Sequence, residues 1–260
     1  DFDCVVKNVH PELQIMCTDL NHPGGAVGYS FLCDGKKIVV LLDNEFTETE
    51  EQKLSLFCND ADLLIWDGMF TEQELFSKRG WGHSSIEQAD QFTKKYNVKN
   101  VLTISTDKAN NPSSLYGISK LASERITLSH GFSVYQGVNF WNSDGSFLQK
   151  WKTSIARNFD VILYNDKHIR FFSMPHDTAN EILNLVINNN NNVNYPKKCF
   201  KLKIIDVYNI LKDKFKDVNF KIESSKENNF DKIEEEINKD IIVENISLNK
   251  LKELLNNIFR

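Results

Sequence analysis

The stretch VKNVLTISTDKANNPSSLYGISK, Val98 to Lys120, decides how this chain is read. Its first part, VKNVLTIS (98–105), is an apolar run of strand length and reads as a buried strand. The polar cluster after it falls just past the strand's C-terminal end, the edge at which open α/β sheets bind ligands. A hydroxyl (Thr106), a carboxylate (Asp107) and an amine (Lys108) come first. A loop over 106–114 with Pro112 and two serines follows, and a helix predicted over about 115–130 then carries a phenol (Tyr116) and a second amine (Lys120). Four residues apart, Tyr116 and Lys120 share a helix face. An ammonium beside a phenol favours the phenolate, which suits an enzyme moving a hydride to or from a carbon that bears oxygen. The spacing alone decides little, because Y-x-x-x-K recurs at Tyr208 and Lys212 in an amphipathic segment, where it reads as a plain helix face.

Downstream, FSVYQGVNF (132–140) is predicted as a strand, 145–157 as a helix, DVILY (160–164) as a strand, and Pro175 opens a helix through Ile187. Residues 188–192 form a polar run and read as a loop. Leu248, Leu251, Leu254, Leu255 and Ile258 make one apolar stripe on a final helix. Strands alternating with helices from 98 onward imply a parallel sheet with crossover helices. Upstream, 13–45 reads as β structure: LQIMCTDL, the turn-rich HPGGAVG, then YSFLCDGKKIVVLLD with a hairpin at Asp34-Gly35. A helix is expected over 47–60, a buried strand at ADLLIWD (61–67), and a helix from Ser84 with Ile86, Ala89, Phe92 and Tyr96 on one face.

The whole chain narrows the function classes. With 260 residues, one large domain or two small ones fit. The net charge is −5 with no basic stripe, which argues against a nucleic-acid partner, although a few backbone N–H groups would still suffice for the phosphate of a small ligand. Five cysteines are scattered without C-x-x-C spacing, so a reduced, cytoplasmic setting is expected rather than a disulfide framework or zinc knuckle. Apolar runs such as IVVLL (38–42) are strand-sized, and no membrane span or signal peptide is expected. The start at Asp1 suggests a fragment, and an oligomer is left open.

STDKA (105–109), NP (111–112) and LYGISK (115–120) closely resemble one family, the extended short-chain dehydrogenase/reductases that act on nucleotide sugars. Within it they are similar to the polysaccharide-biosynthesis branch of UDP-N-acetylglucosamine 4,6-dehydratases. VNFWNSDGS (138–146), IRFFS (169–173) and YPKKCFKLKIIDV (195–207) extend the likeness more loosely, while the family's R-P-G-E-K is not recognisable in SSKENNFDK (224–232). The resemblance implies Tyr116 as the base for oxidation at the sugar C4, Lys120 as the residue that tunes it and holds the nicotinamide ribose, and Thr106 bonded to the C4 oxygen. It implies Asp107 and Lys108 as the acid/base pair that eliminates water across C5 and C6, and Asn139, Ser143 and Arg170 as contacts to a UDP-sugar. NAD(P) follows as cofactor. Its Gly-rich strand–turn–helix is not found, because the chain after HPGGAVG enters the next strand with no room for a crossover helix.

LNHPGGAVGY (20–29), LLDNE (41–45), ADLLIWDGMFTEQE (61–74) and GWGHSSIEQA (80–89) resemble a different family, the metallo-β-lactamase-fold hydrolases. That likeness implies His22 and Asp43 as metal ligands, His83 as a proton-handling neighbour, and Asp67 as a supporting residue. The H-x-H-x-D-H motif that would supply most ligands is absent, and His10 stands alone, so zinc is not expected. The fold class expected is α/β: half of a Rossmann-like parallel sheet, 98–260, joined to a partial metallo-β-lactamase-like segment, 1–97. The function expected is that of a nucleotide-sugar 4,6-dehydratase/epimerase-like protein of polysaccharide biosynthesis, impaired by the missing dinucleotide half. A metal-dependent hydrolase and an inactive hybrid are the alternatives.

Overall fold

The computed structural model describes residues 7–10, 13–188, 192–223, 234 and 236–259. The comparison segment 224–232 lies outside the described residues. The chain opens with antiparallel strands β1 (Lys7–His10), β2 (Leu13–Leu20), β3 (Ala26–Cys33) and β4 (Lys36–Leu41). The β3–β4 hairpin turns on Asp34 (φ 49°) and Gly35 (φ 71°), the double left-handed geometry that an Asp-Gly pair supplies. Helix α1 (Glu48–Cys58) then carries the chain to β5 (Leu63–Trp66), which lies parallel to β4. Strand–turn–helix–strand therefore occurs one strand later than the glycine-rich turn, at LLDNEFTE (41–48).

The short strands β6 (Gly68–Phe70) and β7 (Ser84–Ser85) flank the single-turn helix α2 (Glu72–Leu75). Helix α3 (Ile86–Lys95) starts two residues later than the sequence suggests. Ser85 Oγ accepts from the Gln88 N–H and Gln88 Oε1 from the Ser85 N–H, and this capping box fixes the start. Next come β8 (Val101–Thr106), a 3-10 turn (Asp107–Ala109), helix α4 (Leu115–Ser129) and β9 (Ser133–Gly137). Gly131, at φ 75°, ends α4 as a left-handed cap.

Strand β10 (Asn139–Phe140), helix α5 (Phe147–Ala156), strands β11 (Val161–Leu163) and β12 (Ile169–Ser173), and helix α6 (Pro175–Asn188) follow. The chain then runs through β13 (Val193–Asn194), β14 (Lys198–Lys203), helix α7 (Ile204–Lys214), β15 (Phe220–Ile222), β16 (Ile242–Asn245) and helix α8 (Leu248–Ile258). FSVYQGVNF is thus two strands, not one. The chain leaves the main sheet after Gly137 and pairs Asn139–Phe140 with β12 in a second sheet. That second sheet, ordered β10-β12-β14-β16, is mixed, because β12 and β14 run antiparallel.

The main sheet runs β1-β2-β3-β4-β5-β8-β9-β13, and its β4-β5-β8-β9-β13 part is parallel. It crosses position 97/98 without a break: Leu64 pairs with Val101, Ile65 with Leu102 and Trp66 with Thr103. All four residues of β5 are buried, as a central parallel strand covered on both faces requires. On one face Leu64, Trp66 and Val101 pack with Leu54, Phe57, Ile86, Ala89 and Phe92 of α1 and α3. On the other, Leu63, Ile65, Leu102 and Tyr135 meet Ile182 and Leu185 of α6. The second layer has its own core, in which Trp141, Trp151, Leu211, Leu251 and Leu255 pack together. Tyr208 is 2 % exposed inside it while Lys212 is exposed, so the second Y-x-x-x-K spans a core residue and a surface one.

Candidate functional site

The residues of the quoted stretch gather at the C-terminal end of β8. Thr106 ends the strand, and Asp107 and Lys108 form the tight turn that follows. Asp107 is 2 % exposed. Its Oδ1 accepts hydrogen bonds from Thr106 Oγ1 (2.8 Å) and Lys108 Nζ (3.1 Å), while its Oδ2 is buried with no partner among the described residues. Lys108 Nζ also reaches Asn139 Oδ1 (3.4 Å), whose Nδ2 donates to the Phe171 carbonyl (3.0 Å). The turn is therefore tied to both sheets.

Helix α4 presents Tyr116 and Lys120 over this turn. Ser114 Oγ caps its N-terminus by accepting from the Gly117 N–H (3.1 Å). Gly117 sits where a Cβ would lie 2.4 Å from the Lys108 carbonyl oxygen, so the glycine between the phenol and the amine lets the helix reach the turn. Thr106, Lys108, Tyr116, Lys120, Asn139, Ser143 and Arg170 all line one open cleft of about 1170 Å³ between the two sheets. The structure thus brings seven of the candidates to one cleft.

The electrostatics differ from the expectation. Partial burial pushes the Tyr116 phenol up, and the Asp107 carboxylate pushes the same way, so the phenol is held protonated rather than poised as a phenolate. Lys120 Nζ lies 6.0 Å from the centre of the Tyr116 ring. Burial lowers the Lys120 pKa, opposed by the carboxylates of Asp67, Asp43 and Glu124. Two of these, Asp67 and Asp43, come from the other half of the chain.

Those acids belong to the second set of candidates. Asp43 follows β4 and Asp67 follows β5, so they stand at the same sheet edge as Thr106. Asp67 Oδ2 lies 2.6 Å from His83 Nδ1 and accepts the Asn44 N–H (3.1 Å); Asp43 Oδ1 lies 4.0 Å from His83 Nδ1. Asp43, Asp67 and His83 offer one ligand atom each within 4.8 Å of one another, a set that could hold a divalent cation. His22 is not in it. Its Nδ1 accepts the Gly24 N–H (3.1 Å) within its own turn, and its ring stands 5.7 Å from that of His83.

The hydrogen bond that Asp67 accepts raises the His83 pKa against the opposing effect of burial. A raised His pKa stabilises the fold fully below the unfolded value, and that contribution is lost as pH rises through the folded value. Asp67→Asn is expected to move the His83 titration to lower pH and shrink this acid-side stabilisation, read from the ring-proton shifts in an NMR pH series. An unmoved midpoint would refute the dyad.

Two groups were missed by the sequence reading. Glu124, 5 % exposed, accepts from Ser105 Oγ (2.5 Å) and Gln136 Nε2 (2.8 Å), bracing β8 and β9 behind the turn. Its spacing of four from Lys120 on one helix was the available signal. Glu45, 8 % exposed, accepts the N–H groups of Gly80 (2.7 Å) and Gly82 (3.0 Å), so GWGH wraps a carboxylate from LLDNE.

Among the described residues no helix is long and apolar enough to cross a membrane. The fold is an α/β architecture, a largely parallel main sheet with a second, smaller mixed sheet. The chain belongs to the polysaccharide biosynthesis protein family, whose model matches residues 84–242. Over 99 residues it is 36 % identical to an uncharacterized membrane protein of Methanocaldococcus jannaschii, covering 35 % of this chain and 28 % of that one. The chain thus spans under a third of that curated relative. The fold is similar to Pen from Bacillus thuringiensis (16 % identity, 80 % of this chain and 79 % of that chain, TM-score 0.61). It is also similar to TunA, described as an NAD-dependent NDP-hexosamine 5,6-dehydratase of tunicamycin biosynthesis (15 % identity, 82 % and 80 %, TM-score 0.58).

Proposed function

We propose that this chain acts on a nucleotide-linked hexosamine, abstracting the C5 proton beside a C4 carbonyl and eliminating water across C5 and C6. The observation that carries this reading is the pair Thr106 and Lys108 on the wall of the cleft that Tyr116, Asn139, Ser143 and Arg170 also line, both hydrogen-bonded to the Asp107 carboxylate buried behind them. Thr106 and the protonated Tyr116 hydrogen-bond the C4 oxygen, on which charge grows as C5–H breaks. Lys108, after passing a proton to Asp107 through their hydrogen bond (3.1 Å), takes the C5 proton as the neutral amine, and Asp107 delivers its proton to the departing C6 hydroxyl. The sugar's pyrophosphate meets Arg170, whose guanidinium suits such an anion. The name carried by TunA, which is similar in fold, agrees with this chemistry.

Binding tests the substrate class. UDP-N-acetylglucosamine is expected to receive saturation transfer from the protein at both uracil and sugar protons. Arg170→Ala should raise its Kd about tenfold or more, the weight of a lost charged hydrogen bond. No transfer to either moiety would refute the reading. A second reading, a metal-dependent hydrolase, rests on the Asp43–Asp67–His83 set. It requires stoichiometric metal to survive dialysis in elemental analysis.

A further inference from the structure

An antiparallel sheet can leave one face to water, and that face is then the polar one. Strands β2 and β3 reverse this. Cross-strand pairing puts Asp19 with Val27, Cys17 with Tyr29, Ile15 with Phe31 and Leu13 with Cys33 on one face. All of these but Asp19 are apolar. The opposite face carries Gln14, Thr18, Gly28 and Ser30, yet it is the one that α1 and α3 cover, through Met16, Leu20 and Ala26. Helix α6 covers the apolar face only as far as β4, where Ile38 and Val40 border the cluster of Leu63, Ile65, Leu102 and Tyr135 with Ile182 and Leu185. Among the described residues, Ile15, Cys17, Val27, Tyr29 and Phe31 join none of the hydrophobic clusters. Val27 is 44 % and Tyr29 42 % exposed, and the rings of Tyr29 and Phe31 lie stacked, 6.1 Å apart.

We propose that this face is a dimer interface, on which a second copy of the chain lays the same face, sheet on sheet at about 10 Å. Size, shape and charge select that occupant. Strands β2 and β3 have eight residues each, so the face is about 27 Å long, and β1 to β3 span about 15–20 Å across. The footprint is then about 400–500 Å² per copy and about 800–1,000 Å² for the pair, the lower end of specific interfaces and the size of a weak dimer. A twofold axis crossing the strands between the Cys17–Tyr29 and Ile15–Phe31 rows sets Tyr29 of one copy over Phe31 of the other. The two stacked pairs become one four-ring cluster, and the contact closes on itself. The same axis sets Asp19 over Leu13, so the two carboxylates stand at opposite ends and the copies meet without facing charges. Growth through the sheet edge is blunted instead, because β1 is four residues long and its pairing is irregular between Asn8 and His10.

The test is sedimentation velocity of the full chain from low micromolar to millimolar protein. One monomer–dimer equilibrium with a micromolar Kd is expected. Tyr29→Lys puts a charge in the middle of the face and should abolish the dimer over that range. Ile118→Lys, at a 52 % exposed position on α4, is the control and should leave the dimer intact. Alkylation needs no substitution and decides the matter should Tyr29→Lys fail to fold. Cys17, partly exposed on the face, should react with iodoacetamide more slowly as protein concentration rises, while the buried Cys58 stays unreactive throughout. A monomer at every concentration, or growth beyond the dimer, would overturn the proposal. So would a dimer that survives Tyr29→Lys or is lost in Ile118→Lys, or Cys17 alkylation that ignores concentration.

Discussion

Asp107→Asn is expected to lower the rate of water loss from the 4-ketosugar about 10²–10⁴-fold, the usual weight of a positioned proton donor. The substitution is nearly isosteric. The amide oxygen can still accept from Thr106 Oγ1 and Lys108 Nζ, as the carboxylate Oδ1 does. What disappears is the ability of the group to carry and release a proton. The two half-steps should therefore separate. Deuterium should still enter C5, because Lys108 and the C4 oxygen contacts remain, while C6–O cleavage stalls. The new amide N–H groups are buried where an acceptor is lacking, at a cost of about 1–3 kcal/mol in stability. A melting curve must accompany the kinetics, so that lost catalysis is not confused with lost protein. Water loss within about threefold of the parent rate would remove Asp107 from the acid's role.

Much of this site could be read from residue order. The apolar run 98–105, the turn after it, and the helix carrying Tyr116 and Lys120 follow from periodicity, a Ser cap and a closing glycine. Those are local signals, each spanning a few residues. Long-range electrostatics were not legible. The i,i+4 spacing correctly put Tyr116 and Lys120 on one face, yet it could not reveal that Lys120 also lies near Asp43 and Asp67, 77 and 53 positions earlier in a chain numbered as here. The phenolate expectation fails on other grounds, burial of the Tyr116 phenol and the Asp107 carboxylate, which both raise its pKa. Spacing gave the strand, the helix over 47–60 and the strand at 61–67, yet it could not show what the turn at 41–48 does. It carries no glycine signature, and its meaning lies in three N–H groups whose acceptors, Asp67, Asn21 and Ser84, come from other segments. The same holds for His22. Its motif marked it as a ligand, but its ring nitrogen is taken by its own turn, and Asp67 joins Asp43 and His83 instead.

Trp66→Ala is expected to destabilise the protein by about 3–5 kcal/mol, the range for deleting a buried aromatic side chain. Trp66 is 1 % exposed on β5, with its ring 5.7 Å from both Phe46 and Phe92. Its Nε1 donates to the Ser85 carbonyl (3.0 Å), so truncation leaves both a cavity and an unpaired buried acceptor. A loss of that size is a large share of the 5–15 kcal/mol that holds a typical domain. Trp66→Phe keeps most of the ring and should cost less, which separates the packing from the hydrogen bond. The more telling measurement is where protection is lost. Trp66 pairs with Thr103 across the parallel β5–β8 junction, and β8 pairs in turn with β9. If the sheet is one cooperative unit, amides of β8 and β9 should lose hydrogen-exchange protection together with those of β5. Fast exchange confined to β5, with β8 and β9 unchanged, would mean that the continuous hydrogen-bond ladder does not couple the segments energetically. The acids that surround Lys120 would then be held there by contact alone, and the catalytic turn would keep its shape when the N-terminal strands open.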